Sequence, residues 1–477
     1  MNVTQIKQLL DDMTLEEKIG QMVQLMADFY DQDIDTVLTG PAGELGLDEE
    51  KIKLAGSVLG TAGAERLNKI QKQYMDIHPH HIPLLFMMDI IHGLKTIFPI
   101  PLAQGASFEP ELAQRCASAA AKEAAVSGLH VTFSPMADLV RDVRWGRVME
   151  STGEDPYLNS LFTAAMVRGY QGEDMGDPYK ICACVKHFAG YGAPAGGREY
   201  NTVELSEHTF REFYLPAYAA GIEAGAGMVM TSFNTIDGIP ATGNKKLMRE
   251  ILRGEIGFDG VLISDFAAIS ETVTHGYAKD KKEAAGKALE AGVDIDMMTG
   301  CYALNLKKLA EDDSLYESLI NESAMRVLQL KNKLGLFENP YKDADPAEED
   351  KAVLCREHRT LAREAAEKSF VLLKNDGILP LDLTKKIAFI GPYTDRKEMI
   401  STWAVAGNPE DSVTIKEAAA EIFDLSRTYF CQGSRVLGEE SARKGLRKKK
   451  ILTLPLRIRK NWNKCSLKQR RQLRRLI

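Results

Sequence analysis

The sequence is defined first by what it lacks. None of its 477 residues lie in an apolar run long enough to cross a bilayer as a helix, which excludes a helical membrane protein. The N-terminus, MNVTQIKQLLDDMTLEEKIGQM, has acidic and polar residues where a secretion signal needs an apolar core, so a cytoplasmic location is expected. Seven cysteines, an odd number at irregular spacings, argue against a disulfide framework. HExxH, a GxSxG elbow with its partners and a P-loop are all missing. IAFIGPYTDRKE at 387–398 starts like a nucleotide-binding strand but lacks GxGxxG. Finally, no acidic residue follows Glu440.

What is present is the composition of a soluble globular protein, 44% hydrophobic and 27% charged, and long enough for two domains. The N-terminal stretch reads as a helix entering the fold, with Thr14 and Glu17 in a capping box. Cys182 and Cys184 alternate on an apolar segment, share one face of a strand, and read as buried thiols, since no other ligands stand at matched spacing for a metal. The net charge of −7 hides a break. Residues 441–477 hold fifteen Lys or Arg, leaving 45 basic against 67 acidic residues in 1–440.

Short apolar segments that end in polar residues recur over the first two-thirds of the chain. LLFMMDI ends near Asp89, HVTFSPMAD at Asp138, GMVMTSFN at Asn234 and GVLISD at Asp265; ICACVKHF carries Lys186 and His187, and GVDIDMM carries Asp294 and Asp296. SVLG at 57–60 reads as an earlier strand. Between them lie stretches of helical length and spacing, such as PELAQRCASAAAKEAAVSG. Strands alternating with helices imply a parallel sheet with helical crossovers. Seven or eight such units fit a (β/α)8 TIM-like barrel, with a doubly wound open sheet as the alternative. Both folds place ligands at the C-terminal ends of the strands, where Asp265 stands. From position alone, Asp265 serves equally well as a helix N-cap.

Acids, a Lys-His pair and nearby arginines at strand ends suit a polyhydroxylated ligand, because carboxylates accept from hydroxyls while Lys and Arg donate to them. A sugar site driven by carboxylates is the natural hypothesis.

The motifs narrow this further. MTLEEKIGQM (13–22), DIIHGLKTIFPIPL (89–102), FSPMADLVRDVRWGRVMESTGEDPYL (133–158), KHFAGYGAPAGGREYN (186–201), MVMTSFNTIDGIPAT (228–242), GFDGVLISDFAAI (257–269) and LKNDGILPL (373–381) follow one another in order. In this order and spacing the chain resembles glycoside hydrolase family 3, in its bacterial β-glucosidase branch. The resemblance implies a metal- and cofactor-independent retaining enzyme acting on a β-glucoside or oligosaccharide, with Asp265 as nucleophile. The residue after it, often Trp in the family, is Phe266, which keeps a stacking wall and loses an indole donor. Asp89, Lys186 and His187 match residues that hold the glycone. Arg147 and Arg198 match subsite arginines, with a structural ion pair as the alternative for each. Met230 and Phe233 match pocket-wall positions. Glu154 and Asp155 read as loop and helix-start residues, and His92 and His275 as turn residues. A β-xylosidase is the nearest alternative. An N-acetylhexosaminidase is disfavoured, because Tyr191 of KHFAGYG stands where that branch has a second His.

The resemblance divides the chain into a barrel at 1–335, a linker with a helix at 336–365, and the start of an α/β sandwich at 366–440, whose first strands are SFVLLKND, LPL and KKIAFIGP. The sandwich is expected to be incomplete. The general acid/base, in this branch a Glu of that second domain, is assigned to no residue: Glu439 and Glu440 come too early. The basic segment 441–477 shows neither strand–helix alternation nor aromatic interleaving for a nucleic acid. A solvated basic extension is the plain alternative; the favoured reading is a shifted reading frame, which turns purine-rich Glu codons into Lys and Arg codons. A catalytically impaired sugar-binding fragment is the rival from outside the enzymes.

Overall fold

The computed structural model describes residues 1–30 and 45–434. Glu439, Glu440 and the basic segment 441–477 therefore lie outside the described residues. Two compact units are present: Met1–Val371 together with Thr402–Gly407, and Leu372–Ser401 with the residues from Asn408 onward.

The first unit is built on eight parallel strands: β1 (Val23–Met26), β2 (Ser57–Leu59), β3 (Leu85–Met88), β4 (Val131–Thr132), β5 (Cys182–Phe188), β6 (Met228–Thr231), β7 (Val261–Ile263) and β8 (Asp296–Met297). Their order in space follows the chain, with β8 paired to β1 through Val23 and Asp296. A parallel bridge between Ile263 and Ile295 joins β7 to the residue before β8. The ring of eight strands is thereby closed, which decides for the barrel over the open sheet. Burial follows from this closure: β3, β5, β6 and β7 are buried at every residue, as expected of strands with side chains on one face and helices on the other.

The crossover helices begin and end where local chemistry requires. The helix Pro156–Gln171 has Pro at its first position, Asp155 accepting from the Leu158 N–H at 2.7 Å, and Gly172 at φ 61° after its last turn. Thr14 and Glu17 form the expected capping box. Cys182 and Cys184 are buried thiols of β5. The first barrel strand, Val23–Met26, was not visible in the sequence: four residues that follow a helix directly and include Gln24 show no strand signature.

The segment read as a linker belongs to the barrel unit. Helices Pro346–Ala352 and Arg356–Lys368 are tied to it by buried Glu123. Glu123 accepts from Thr96 N (2.9 Å), Thr96 Oγ1 (2.6 Å), Leu354 N (3.0 Å) and His358 Nδ1 (2.9 Å). An outer bidentate pair between Arg115 and Glu364 reinforces the attachment.

The second unit is small. Strands β9 (Ile387–Ile390) and β10 (Thr428–Cys431) pair in parallel, with helix Ile415–Ile422 beside them and Phe389 stacked on Phe430 at 5.3 Å. The expected strands at SFVLLKND and LPL do not form: residues 369–386 carry no strand assignment, and Leu373 is 91% exposed. An apolar segment gains nothing from extension when no neighbouring strand among the described residues takes its backbone groups. Leu372, Ile378, Ile422 and Leu425 are exposed as well. Large contiguous apolar surface drives association in water. Sedimentation velocity of this chain is expected to show self-association that grows with concentration, and a monodisperse monomer at all concentrations would oppose this account.

Candidate active site

The polar residues singled out by the sequence converge at the C-terminal ends of the barrel strands. Asp265 follows β7 by two residues and is 8% exposed. Its Oδ1 accepts from the Phe266 N–H at 2.6 Å, whereas its buried Oδ2 has no hydrogen-bond partner. The N-cap reading fails. Helix Ala268–Thr274 starts after Ala267, at φ 61°, with no side-chain cap. A buried carboxylate oxygen without a donor is costly for stability, which makes it the most informative atom of the site.

Lys186 and His187 are neighbours on β5, yet both reach the mouth. The pairing of β5 with β6 shifts register between Val185 and Phe188, and this irregularity breaks the strict alternation of faces. Lys186 is 2% exposed and donates to Asp89 Oδ1 at 2.8 Å. His187 Nε2 stands 3.5 Å from the free Oδ2 of Asp265. On its other side, His187 Nδ1 and backbone N–H lie 2.7 and 2.9 Å from Asp138 Oδ2.

Arg147 is held by Glu150 in a bidentate pair at 2.7 and 2.9 Å. It is thus an ion pair, as the alternative reading had it, but one at the mouth of the site: its charge also pulls the Asp265 carboxyl down. Its guanidinium lies 5.5 Å from the ring of Tyr191 and 5.9 Å from that of Trp403. The Lys186 ammonium also lies over Trp403, at 5.2 Å. Phe233 packs in an aromatic cluster with Tyr191 and Tyr200. Phe266 is half-exposed, as a wall facing a ligand would be. Met230 is buried among the core residues of the barrel.

Arg198 stands apart. It is exposed, and its Nε–H donates to the Ala195 carbonyl at 3.2 Å. Asp294 and Asp296 are structural: Asp294 pairs with Arg253 and Arg326, and Asp296 accepts from Thr299 and the Tyr302 N–H. His92 links the carbonyls of Phe98 and Thr402. The sequence alone does not mark Asp138, Tyr218, Glu150 or Trp403 as site residues. Asp138 was visible as a strand end, but Trp403 comes from a segment 137 residues beyond Phe266 that carries no barrel signature.

Burial pushes Asp265 up to about 7, against the downward pull of Arg147 and Lys186. Burial, with the charges of Arg147 and Lys186, holds His187 well below the usual imidazole range, so it is neutral. Among the described residues, no group of three or more His, Cys, Asp or Glu is placed to hold a metal ion.

Residues 14–330 match the model of the glycosyl hydrolase family 3 N-terminal domain. The chain belongs to glycosyl hydrolase family 3. It is 36% identical over 443 residues to a periplasmic beta-glucosidase of Salmonella typhimurium, an alignment covering 91% of this chain and 56% of that protein. A putative beta-xylosidase of Formosa agariphila is also 36% identical, over 83% of this chain and 54% of its own length. The crystal structure of a beta-glucosidase from Listeria innocua in complex with glucose superposes with a TM-score of 0.87 at 46% identity, covering 94% of this chain and 63% of that one. The chain thus spans less than two-thirds of the length of these family 3 relatives. The expected cytoplasmic location does not stand, since a relative at this identity is periplasmic. An N-terminus without an apolar core does not decide the compartment.

The raised Asp265 carboxyl carries a stability cost. A carboxyl whose folded value lies above its unfolded value favours folding most at low pH and loses that advantage as pH rises through the folded value. Asp265→Asn removes the charge at every pH. Its folding stability is expected to match wild type near pH 4 and to exceed it above pH 7 by on the order of 1–4 kcal/mol, seen as a higher melting temperature. Thermal denaturation at pH 4 and pH 8 checks this; equal melting temperatures at pH 8 would contradict it.

Proposed function

We propose that this chain carries the glycone site and nucleophile of a retaining β-glucosidase, which removes terminal non-reducing β-D-glucosyl residues. The observation that carries this reading is the unpartnered, buried Oδ2 of Asp265 at a strand end lined by Lys186, His187 and Arg147. Membership of family 3 and the likeness to a glucose-bound beta-glucosidase support it.

In the first step Oδ2 of Asp265 attacks the anomeric carbon, forming a C–O bond as the glycosidic bond breaks and the aglycone departs with its electron pair. Water then cleaves the ester and restores the carboxylate. Asp89, itself paired with Lys186, accepts from glycone hydroxyls, while Lys186 and Arg147 donate to them. Phe266, Phe233 and Met230 shape the wall. Arg198, exposed in this structure, acts from the rim. The acid/base that would protonate a poor leaving group is assigned to none of the described residues.

The test is intact-mass analysis after incubation with 2,4-dinitrophenyl 2-deoxy-2-fluoro-β-glucoside, whose leaving group needs little protonation. One covalent adduct is expected, absent in Asp265→Asn. The rate of adduct formation should fall as pH drops below about 7, because only the ionised carboxylate attacks. The corresponding 2-fluoro-β-xyloside decides between glucoside and xyloside, a choice made relevant by the Formosa agariphila relative. A folded wild-type chain that forms no adduct with either sugar would overturn the proposal and leave a non-catalytic sugar-binding protein.

A further inference from the structure

His187 has two different neighbours. Its Nδ1 faces Asp138, and its Nε2 faces Asp265. Asp138 is fully buried and sits wholly within donors: Oδ2 takes the backbone N–H and Nδ1 of His187, and Oδ1 takes the Tyr218 hydroxyl at 2.5 Å. Tyr218 belongs to the helix Leu215–Glu223, and its hydroxyl also stands 2.7 Å from the His187 carbonyl. The ring of His187 is wedged further by Tyr191, edge-on at 5.1 Å. Gly192 presses this loop onto the Asp138 segment, since a Cβ there would lie 2.1 Å from the Leu139 carbonyl oxygen. The imidazole therefore cannot turn without breaking several contacts.

A carboxylate that already accepts from the His187 backbone N–H makes its Nδ1 neighbour a donor. One proton on a neutral ring then leaves Nε2 with a bare lone pair. That lone pair points at another acceptor, Oδ2 of Asp265. Two acceptors 3.5 Å apart form no hydrogen bond, which accounts for the unpartnered oxygen of Asp265.

We infer that Asp138, braced by Tyr218, is a positioning residue that fixes His187 in the Nδ1–H tautomer, so that His187 cannot donate to the nucleophile and must instead accept from a substrate hydroxyl. This rests on the proposed glycosidase reading. It has two consequences. Asp265 keeps a free oxygen for attack, where the other tautomer would tie it up in a hydrogen bond. A glycone hydroxyl that reaches Nε2 donates its proton to it, because Nε2 offers only a lone pair.

The test separates tautomer from chemistry. Nitrogen-15 histidine NMR at pH 8, assigned with His187→Gln, should show the proton on Nδ1 in wild type. This pH lies above the value of about 7 to which burial pushes Asp138, so its carboxylate is ionised; the other charged groups near the ring are Lys186, Arg147 and Asp265. Asp138→Ala should populate Nε2–H and slow dinitrophenol release from 2,4-dinitrophenyl β-glucoside, which keeps every ring hydroxyl, by ~100-fold or more, with the pH dependence of Asp265 shifted downward by its new donor. Asp138→Asn can keep the Nδ1 contact through its one carbonyl oxygen and should recover most of that loss. If Asp138→Ala does not fold, Tyr218→Phe provides the milder variant, with mixed tautomers and a smaller loss of rate. A wild-type proton on Nε2, or a folded Asp138→Ala chain with an unchanged rate, would overturn the inference. Absence of adduct in wild type would strike the glycosidase reading instead, and the NMR result would still report on Asp138.

Discussion

The site depends on one interaction that is not made. Asp265 is buried at the mouth of a closed barrel, and one of its carboxylate oxygens meets no donor. Folding alone does not favour this, since desolvating a carboxylate is expensive unless hydrogen bonds replace the water. Around it the structure supplies charge without contact. Arg147 and Lys186 pull the carboxyl down from a distance, but each cation is bonded elsewhere, Arg147 to Glu150 and Lys186 to Asp89. His187 Nε2 stands 3.5 Å away, and the inferred Nδ1–H tautomer leaves it no proton to donate. The result is a carboxyl pushed up to about 7 with a buried, unbonded oxygen, which is the electrostatic requirement for the proposed attack on a carbon that develops positive charge.

The barrel makes this arrangement possible by bringing distant residues to one rim. Asp89, Asp138, Lys186, His187 and Asp265 follow four different strands or end them, and strand closure brings them within hydrogen-bonding range. Residues near the same strand ends that are fully bonded, such as Asp294 and Asp296, show the contrast. Their partners are arginines, hydroxyls and backbone N–H groups, and they hold the fold together. A free buried acceptor, more than its position, separates Asp265 from them.

The barrel was legible because seven of its eight strands fall on short apolar segments, most with a polar residue at or near the end, with helical stretches between. The eighth, Val23–Met26, was hidden by its shortness and by Gln24. The site was legible mainly through motifs: DIIHG, KHF and ISDF put Asp89, Lys186, His187 and Asp265 where the structure finds them. Three features were not. The path by which Lys186 and His187 share one cleft needs a register shift that leaves no mark in composition. Asp138 acts through His187, and sequence spacing does not reveal a contact across 49 residues. Trp403 enters the first unit from a stretch whose neighbours belong to the second. The strand expected at SFVLLKND failed for a different reason: β-propensity is realised only beside another strand.

The unbonded oxygen of Asp265 should favour a cationic centre over a neutral one. Titration calorimetry with two glycone analogues at pH 8 tests it directly: a piperidine sugar whose ring nitrogen occupies the anomeric position, and a neutral ring of the same hydroxyl pattern. Asp265→Asn is expected to weaken the cationic analogue by ~100-fold or more and the neutral one by less than about tenfold, a difference of more than about 1.4 kcal/mol. Equal losses for both, or no loss for either, would mean that the carboxylate is not the group that meets the anomeric charge.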